Sequence, residues 1–253
     1  MGLLIFGIAC VAIGGLLLYT RQSSLSRAMD IKYYETSKVS EVVGIYQPVK
    51  EELGVGNYSG IIVELSGIAN SDSPITAQHS KRPALYVEAW VNREYEVTEQ
   101  QRDDKGNYRT VTVRRSETVS RHTNYVPFYL DDGSGATVRV DMNGAKKDLI
   151  TSQDRYEPES SPGFGHDSSR TLGYRYQEKI IPNGARLYVL GELSDRDGEL
   201  TVVKPAESGK QFIVSTKSEQ ELIKRAESSA QWKLVGAIII AVAGLGIVVA
   251  SFF

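Results

Sequence analysis

The chain has 253 residues, 41% of them hydrophobic, with 29 Lys and Arg against 31 Asp and Glu and a formal net charge of −2. That balance provides no basic face for a phosphate backbone, so nucleic acid is not an expected partner. A single cysteine, Cys10, excludes an intrachain disulfide, and one Cys with three His excludes a zinc centre built from soft ligands; no cofactor is expected.

The apolar residues accumulate at the two ends. Residues 2–19 carry no charge and approach the roughly 20 residues that cross hydrocarbon at ~1.5 Å per residue. No Lys or Arg precedes this run and no A-x-A-like cleavage site ends it, so it reads as a retained transmembrane helix rather than a signal peptide. Residues 20–59 read as a helical stalk and linker. The stretch "SSLSRAMDIKYYETSKVSEVV" lacks Pro and Gly and predicts a helix continuing toward Val43, and "GIYQPVKEELGVGNYSG" predicts its end.

From Gly60 the pattern changes to short β-branched and aromatic runs between turn residues, which predicts a β-rich domain over residues 60–214. "NREYEVTEQQR" and "YRTVTVRRSETV" flank "DDKGN", whose Gly and Asn tolerate positive φ, so a long hairpin is expected with its tip in solvent. This makes Asp104, Lys105, Asn107 and Tyr108 candidate interaction residues. The Ser-, Pro-, Gly- and charge-rich residues 151–170 read as a mobile loop. Residues 215–233 read as a second helical stalk, with Ser215 or Thr216 as its cap. Residues 234–253 form the second uncharged run and read as a second transmembrane helix, entered through Trp232 and Lys233. Small residues on these helices (Ala237 with Ala241, Gly246 with Ala250, Cys10 with Gly14) suit packing between them, or self-association into a homo-oligomer.

Catalytic residues are not evident. His79, His122 and His166 lie in separate segments without ligand spacing. Ser120, His122 and Asp131 read as solvent-facing polar residues of strands, and the Asp131–Asp132 pair beside Gly133 reads as a turn. Tyr125, Phe128, Tyr129, Tyr174, Tyr176 and Tyr188 read as core aromatics. Orientation follows from charge: Arg21, Arg27 and Lys32 follow the first run, while Lys217, Lys224, Arg225 and Lys233 precede the second. The positive-inside rule then puts a two-pass protein's β domain in the cytoplasm.

Four blocks, "SGIANSDSPITAQHSKRPALYVEAWV", "VPFYLDDGSGATVRVDM", "ARLYVLGELSDRDGELTVVKP" and "ESSAQWKLVGAIII", occur in an order that resembles the GIDE, or beside-a-membrane (BAM), domain family. In that family the domain sits between two transmembrane helices, as in mitochondrial and chloroplast RING-type E3 ubiquitin ligases. The resemblance implies architectural roles for Gly67, Pro74, Arg82 and Pro83, for Pro127, Phe128, Asp132 and Gly135, and for Gly191 and Glu192. It also implies a RING module after the second helix. A RING needs about eight Cys and His ligands. The sequence given ends at Phe253 with one Cys and three His, so no intrinsic ubiquitin transfer is expected. The expected fold is mainly antiparallel β, an OB-like barrel or sandwich, flanked by two transmembrane helices. The expected function is a membrane-anchored interaction or scaffolding module that recruits a protein partner or small ligand near the lipid bilayer. Alternatives are an E3-like protein using a RING supplied in trans, or a structural membrane homo-oligomer.

Overall fold

Residues 2–102, 106–160 and 169–250 are described by the computed structural model. A run without proline forms helix α1 (Gly2–Tyr33), and an equally long one forms α3 (Glu219–Ala250). Both are long and apolar enough to cross a membrane. They pack antiparallel through small residues. A Cβ on Gly14 would lie 3.3 Å from the Ala237 carbonyl oxygen, and one on Gly244 would lie 2.9 Å from Cys10 Cβ and 3.0 Å from the Gly7 carbonyl oxygen. Gly246 has nothing within 4 Å of such an atom and faces away from α1. At the end of the uncharged runs, Lys233 Nζ donates to Ser24 Oγ (2.8 Å) and to the Thr20 carbonyl (3.2 Å).

The start of α3 is set by Ser218, not by Ser215 or Thr216. Ser218 and Glu221 have capping-box spacing: Glu221 N–H donates to Ser218 Oγ and Ser218 N–H to the Glu221 carboxylate. The Ser215 hydroxyl is engaged otherwise, accepting from Lys217 N–H and donating to Asp148.

Between α1 and the barrel the chain departs from the sequence-based expectation. The helix breaks at residues 34–38, where Thr36 bridges Glu64, and resumes as α2 (Val39–Leu53) with Pro48 inside it. The cause is tertiary. Val39, Val42 and Tyr46 form a buried stripe at helical spacing in the main core, which outweighs one lost backbone bond at Pro48. Lys38, the residue before α2, makes no side-chain cap; a distant turn provides one. Asp132 Oδ2 accepts from Val39 N–H and Ser134 Oγ from Ser40 N–H, both at 2.9 Å. Burial pushes the Asp132 carboxyl up, but the donors from Ser134 and Val39 outweigh it and hold it below the ordinary carboxylate range. Asp132→Ala is expected to cost about 1 kcal/mol in chemical denaturation, the usual loss of a helix cap.

The barrel consists of β1 (Ser59–Asn70), β5 (Phe128–Asp131), β6 (Thr137–Val140), β10 (Ala185–Ser194) and β11 (Thr201–Val203). They close in the order β1-β5-β6-β11-β10-β1, antiparallel except for the β6–β11 pair, an OB-like five-stranded ring. β12 (Ile213–Ser215) continues along β10, and β7 (Lys146–Asp148) adds to β12 in parallel. The interior holds Leu65, Phe128, Leu130, Val140, Leu187 and Val202, plugged by the α2 stripe. Residues 187–194 of β10 are buried on both faces: Leu187 and Val189 face the barrel, and Tyr188 and Leu190 pack with Ile31 of α1 and Leu222 of α3.

Glu64 joins the helices to the barrel. It is 1% exposed and accepts from Thr36 Oγ1 (2.6 Å) and Tyr188 OH (2.8 Å). Burial nevertheless holds its carboxyl above the ordinary range. A raised native value means that the folded chain binds this proton more tightly, so stability is lost as pH rises from the unfolded-state value through the raised one. Both partners are hydroxyls that can turn to accept from an amide. Glu64→Gln is therefore expected to abolish this part of the pH dependence in thermal melts and to leave neutral-pH stability within about 1 kcal/mol of wild type.

A second sheet is assembled from two excursions out of the barrel. β2 (Ile75–Thr76), β3 (Pro83–Arg102) and β4 (Tyr108–Tyr125) lie between β1 and β5, and β8 (Ile150–Pro158) and β9 (Ser169–Pro182) between β7 and β10. β3 is central, with β9 on one edge and β4 and β2 on the other, and β8 pairs with β9. Of the mobile loop that the sequence reading expects over residues 151–170, residues 151–158 are therefore strand, residues 169 and 170 begin β9, and residues 161–168 lie outside the described residues. β8 is a polar strand held by backbone pairing to β9, so it shows no apolar alternation.

Candidate interaction surface

The candidate surface is the outer part of this second sheet. β3 has 20 residues and β4 has 18, paired along their length from Tyr86↔Tyr125 to Arg102↔Tyr108. At ~3.3 Å per residue the paired ribbon is about 55 Å long. Among the described residues β9 supports β3 as far as Val97↔Ser169, beyond which β3 and β4 pair only with each other. Cross-strand charges run along the ribbon: Arg114 with Glu96 (3.2 Å), Arg121 with Glu88 (2.9 Å), Arg93 with Glu117 (2.9 Å), and Arg115 with Glu99. Each exposed pair is worth little, but four in a row favour one register.

β4 is exposed along almost its whole length, and among the described residues no strand pairs with it on the side away from β3. Its backbone groups on that side form a ready template for another strand. Val119 is 51% exposed and Tyr108 is 70% exposed beside the hairpin end, with the Arg102 guanidinium 6.0 Å from the Tyr108 ring centre. Four arginines and one glutamate lie on this strand, and Arg114, Arg115 and Arg121 are met by Glu96, Glu99 and Glu88 of β3.

Of the hairpin candidates, Asn107 and Tyr108 lie at the start of the β4 arm, and Asp104 and Lys105 fall outside the described residues. The ten positions carried by the family-like blocks are dispersed through the barrel, its joints and the β2–β3 turn of the second sheet. A Cβ on Gly67 would lie 2.5 Å from the Asp131 carbonyl oxygen, and one on Gly191 within 2.9 Å of Val202 and Phe212 atoms. Phe128 is fully buried, Asp132 caps α2, and Gly135 adopts φ 93° in the β5–β6 turn, where a side chain is strained. Glu192 accepts from Gly60 N–H and Ala206 N–H. Pro74 precedes β2; Arg82 and Pro83 are exposed at the turn into β3, where Arg82 C=O accepts from Ala77 N–H.

The structure gives no support to a catalytic grouping of Ser120, His122 and Asp131: the first two are on β4 in the second sheet, and Asp131 is in the barrel, accepting from Gly133 N–H. His79 contacts the Tyr176 ring in the β2–β3 turn, and His166 lies outside the described residues. Among the described residues no group of three or more His, Cys, Asp or Glu could hold a metal ion. The core reading of the aromatics holds for Phe128 and Tyr188, whereas Tyr125 and Tyr129 are 37% and 38% exposed at strand ends.

Sequence reasoning missed Glu178, which organises the β2–β3 turn. It is fully buried and accepts from His79 N–H (2.7 Å), Ser80 N–H (3.2 Å), Ser80 Oγ (2.6 Å) and Ser152 Oγ (2.7 Å). Burial pushes its carboxyl up, but these donors together outweigh that and hold it below the ordinary range. The only local signal is an acidic residue in an otherwise strand-like run, "RYQEKII".

Comparison with known proteins identifies the family, and its model leaves the first family-like block outside the matched residues. The GIDE family model, described as "E3 Ubiquitin ligase", matches residues 96–250. The chain is 29% identical over 236 residues to E3 ubiquitin-protein ligase SPL1 of Arabidopsis thaliana, covering 90% of this chain and 64% of that protein. It is 28% identical over 169 residues to E3 ubiquitin-protein ligase SP1 of the same plant (64% of this chain, 46% of the relative). Mitochondrial ubiquitin ligase activator of NFKB 1 of Mus musculus is 29% identical over 131 residues (47% and 37%). The chain thus spans less than two thirds of the length of the curated relatives it matches. No solved structure matches.

Proposed function

The chain belongs to the GIDE family, and from that premise we propose that it is a two-pass membrane protein whose cytoplasmic β unit recruits a protein partner through the free edge of β4. The unit acts as a scaffold and performs no chemistry of its own. One observation carries this reading: an 18-residue strand, exposed and held in register by β3, offers an edge for an extended segment of a partner. Backbone pairing supplies affinity in such an arrangement, and alternate side chains supply selectivity. The orientation rests on the basic residues flanking the two apolar runs.

The names of the relatives favour a second, compatible reading, in which the unit is the recruiting half of a ubiquitin ligase and the zinc module lies outside these 253 residues. One Cys and three His cannot form a RING. Photo-crosslinking from Val119 and Tyr108 in the full chain, in its native membrane, tests recruitment. The same partner is expected from both positions and not from Tyr156 on the opposite edge strand. Crosslinks confined to lipid, or equally strong from Tyr156, would remove the β4 edge from the account.

A further inference from the structure

Where α1 and α3 leave their uncharged runs they enclose a cavity of about 290 Å³ against β7 and β12. Its floor is apolar, formed by Ile31, Ile213 and Leu222, which belong to the small core joining helices to barrel. Its other end is lined by Ser24 and Ser229. Ser24 lies three residues beyond Arg21, the first charge of α1, and Ser229 four residues before Lys233, the last charge of α3. At ~1.5 Å per residue this end sits only about 5 Å from the edge of the uncharged runs. Tyr19 and Trp232, 77% and 73% exposed, mark the same level.

The rim is charged. Lys146 and Arg225 both line it with Asp148. Asp148 Oδ1 is shared by Arg225 NH1 (2.6 Å) and, from outside the cavity lining, by Lys217 Nζ (2.8 Å), while Lys146, whose Nζ donates to Gln211 Oε1 (2.6 Å), and Lys147 line the same rim. Burial pushes Asp148 up, but Lys217 and Arg225 outweigh it and keep it ionised. The rim therefore has positive charge in excess, above an apolar floor and beside hydroxyls at headgroup depth. That combination suits an amphiphile carrying a phosphate. We propose that the cavity binds the phosphate-bearing headgroup of an anionic phospholipid, with Lys146 and Arg225 facing the phosphate and the acyl chains leaving along the outer side of the α1–α3 pair beside Ser229. Cationic pockets between membrane helices recognise such headgroups by the same physics. The placement at headgroup depth rests on the two-pass reading.

The full chain in neutral detergent is titrated with dihexanoylphosphatidylglycerol, with dihexanoylphosphatidylcholine and with inorganic phosphate, followed by calorimetry. One saturable site for the glycerol lipid is expected, at least tenfold tighter than for the choline lipid. K146Q/R225Q removes two cations, each worth about fivefold near a membrane surface, and should weaken binding about 25-fold. A226F, which fills the cavity with every charge retained, should abolish it, and R109Q/R114Q on the hairpin should leave it unchanged. Equal binding of the choline lipid, or no change in K146Q/R225Q, overturns the proposal; phosphate binding as tight as the glycerol lipid overturns the lipid source. Carbonate extraction of the same membranes separates the premises. A chain that stays in the pellet but fails the titration overturns this inference alone, and a chain that is extracted overturns the two-pass reading with it.

Discussion

Gly67→Val is expected to prevent the barrel from closing, with a loss of more than about 3 kcal/mol in folding stability measured by urea denaturation of the detergent-solubilised chain. Overpacking in a close-packed core costs about 1–3 kcal/mol when side chains can yield. Here the obstacle is backbone. A Cβ at Gly67 would lie 2.5 Å from the carbonyl oxygen of Asp131, 2.7 Å from its carbonyl carbon and 3.0 Å from Asp132 N. The opposed segment cannot retreat freely, because Ile68↔Asp131 is a paired position of β1 and β5 and Asp132 is tied to the start of α2. A displacement of β5 would therefore open the ring and unseat the helix that plugs it. Gly191→Ala provides the contrast: its neighbours within 3 Å are side-chain atoms of Val202 and Phe212, which can shift, so about 1–3 kcal/mol is expected there.

Glu178→Gln should be nearly as damaging, with a loss of about 3 kcal/mol. The substitution preserves volume, so the effect isolates hydrogen bonding and charge. Two of the donors to Glu178 are the backbone N–H groups of His79 and Ser80, which cannot reverse direction. A glutamine amide nitrogen turned toward either leaves buried donors facing each other, and each unsatisfied buried group costs about 1–3 kcal/mol. Glu64 is equally buried, yet its partners are hydroxyls, which is why its amide variant is expected to be mild. The pH dependence separates the two. The native Glu178 carboxyl lies below its unfolded value, so its stabilisation is present above the unfolded value and is lost as pH falls through the native one. Acid unfolding of the Gln variant should lose that component, whereas the Glu64 variant should lose a component of opposite sign.

The β class of the domain was legible because Val, Ile, Tyr and Thr cluster between turn residues, and the hairpin was legible from "DDKGN" between two long alternating runs. An OB-like barrel or sandwich was also legible, and the ring closes, but the pair that closes it was not, because the β6–β11 parallel pair joins segments some 60 residues apart and leaves no local mark. α2 was obscured by Pro48 and by a cap that Asp132 supplies from 93 residues away. β8 reads as loop in the sequence because an exposed strand held by backbone pairing has no reason to alternate. The buried carboxylates escaped notice for a related reason: Glu64 and Glu178 look like surface residues until their long-range donors are known. For the candidate surface, the hairpin end was anticipated, but the whole length of β4 was not. Its free edge is a property of which strands fail to flank it, and that is decided by topology.

The most direct test of recruitment through β4 is amide hydrogen exchange of the full chain, compared between native membranes and the isolated protein in detergent. Amides of Tyr108–Tyr125 on the side away from β3 are expected to exchange at least tenfold more slowly in the native membrane, with β8 amides unchanged. Identical exchange along β4 in both preparations would contradict it, leaving the strand as a solvated edge with no partner to bind.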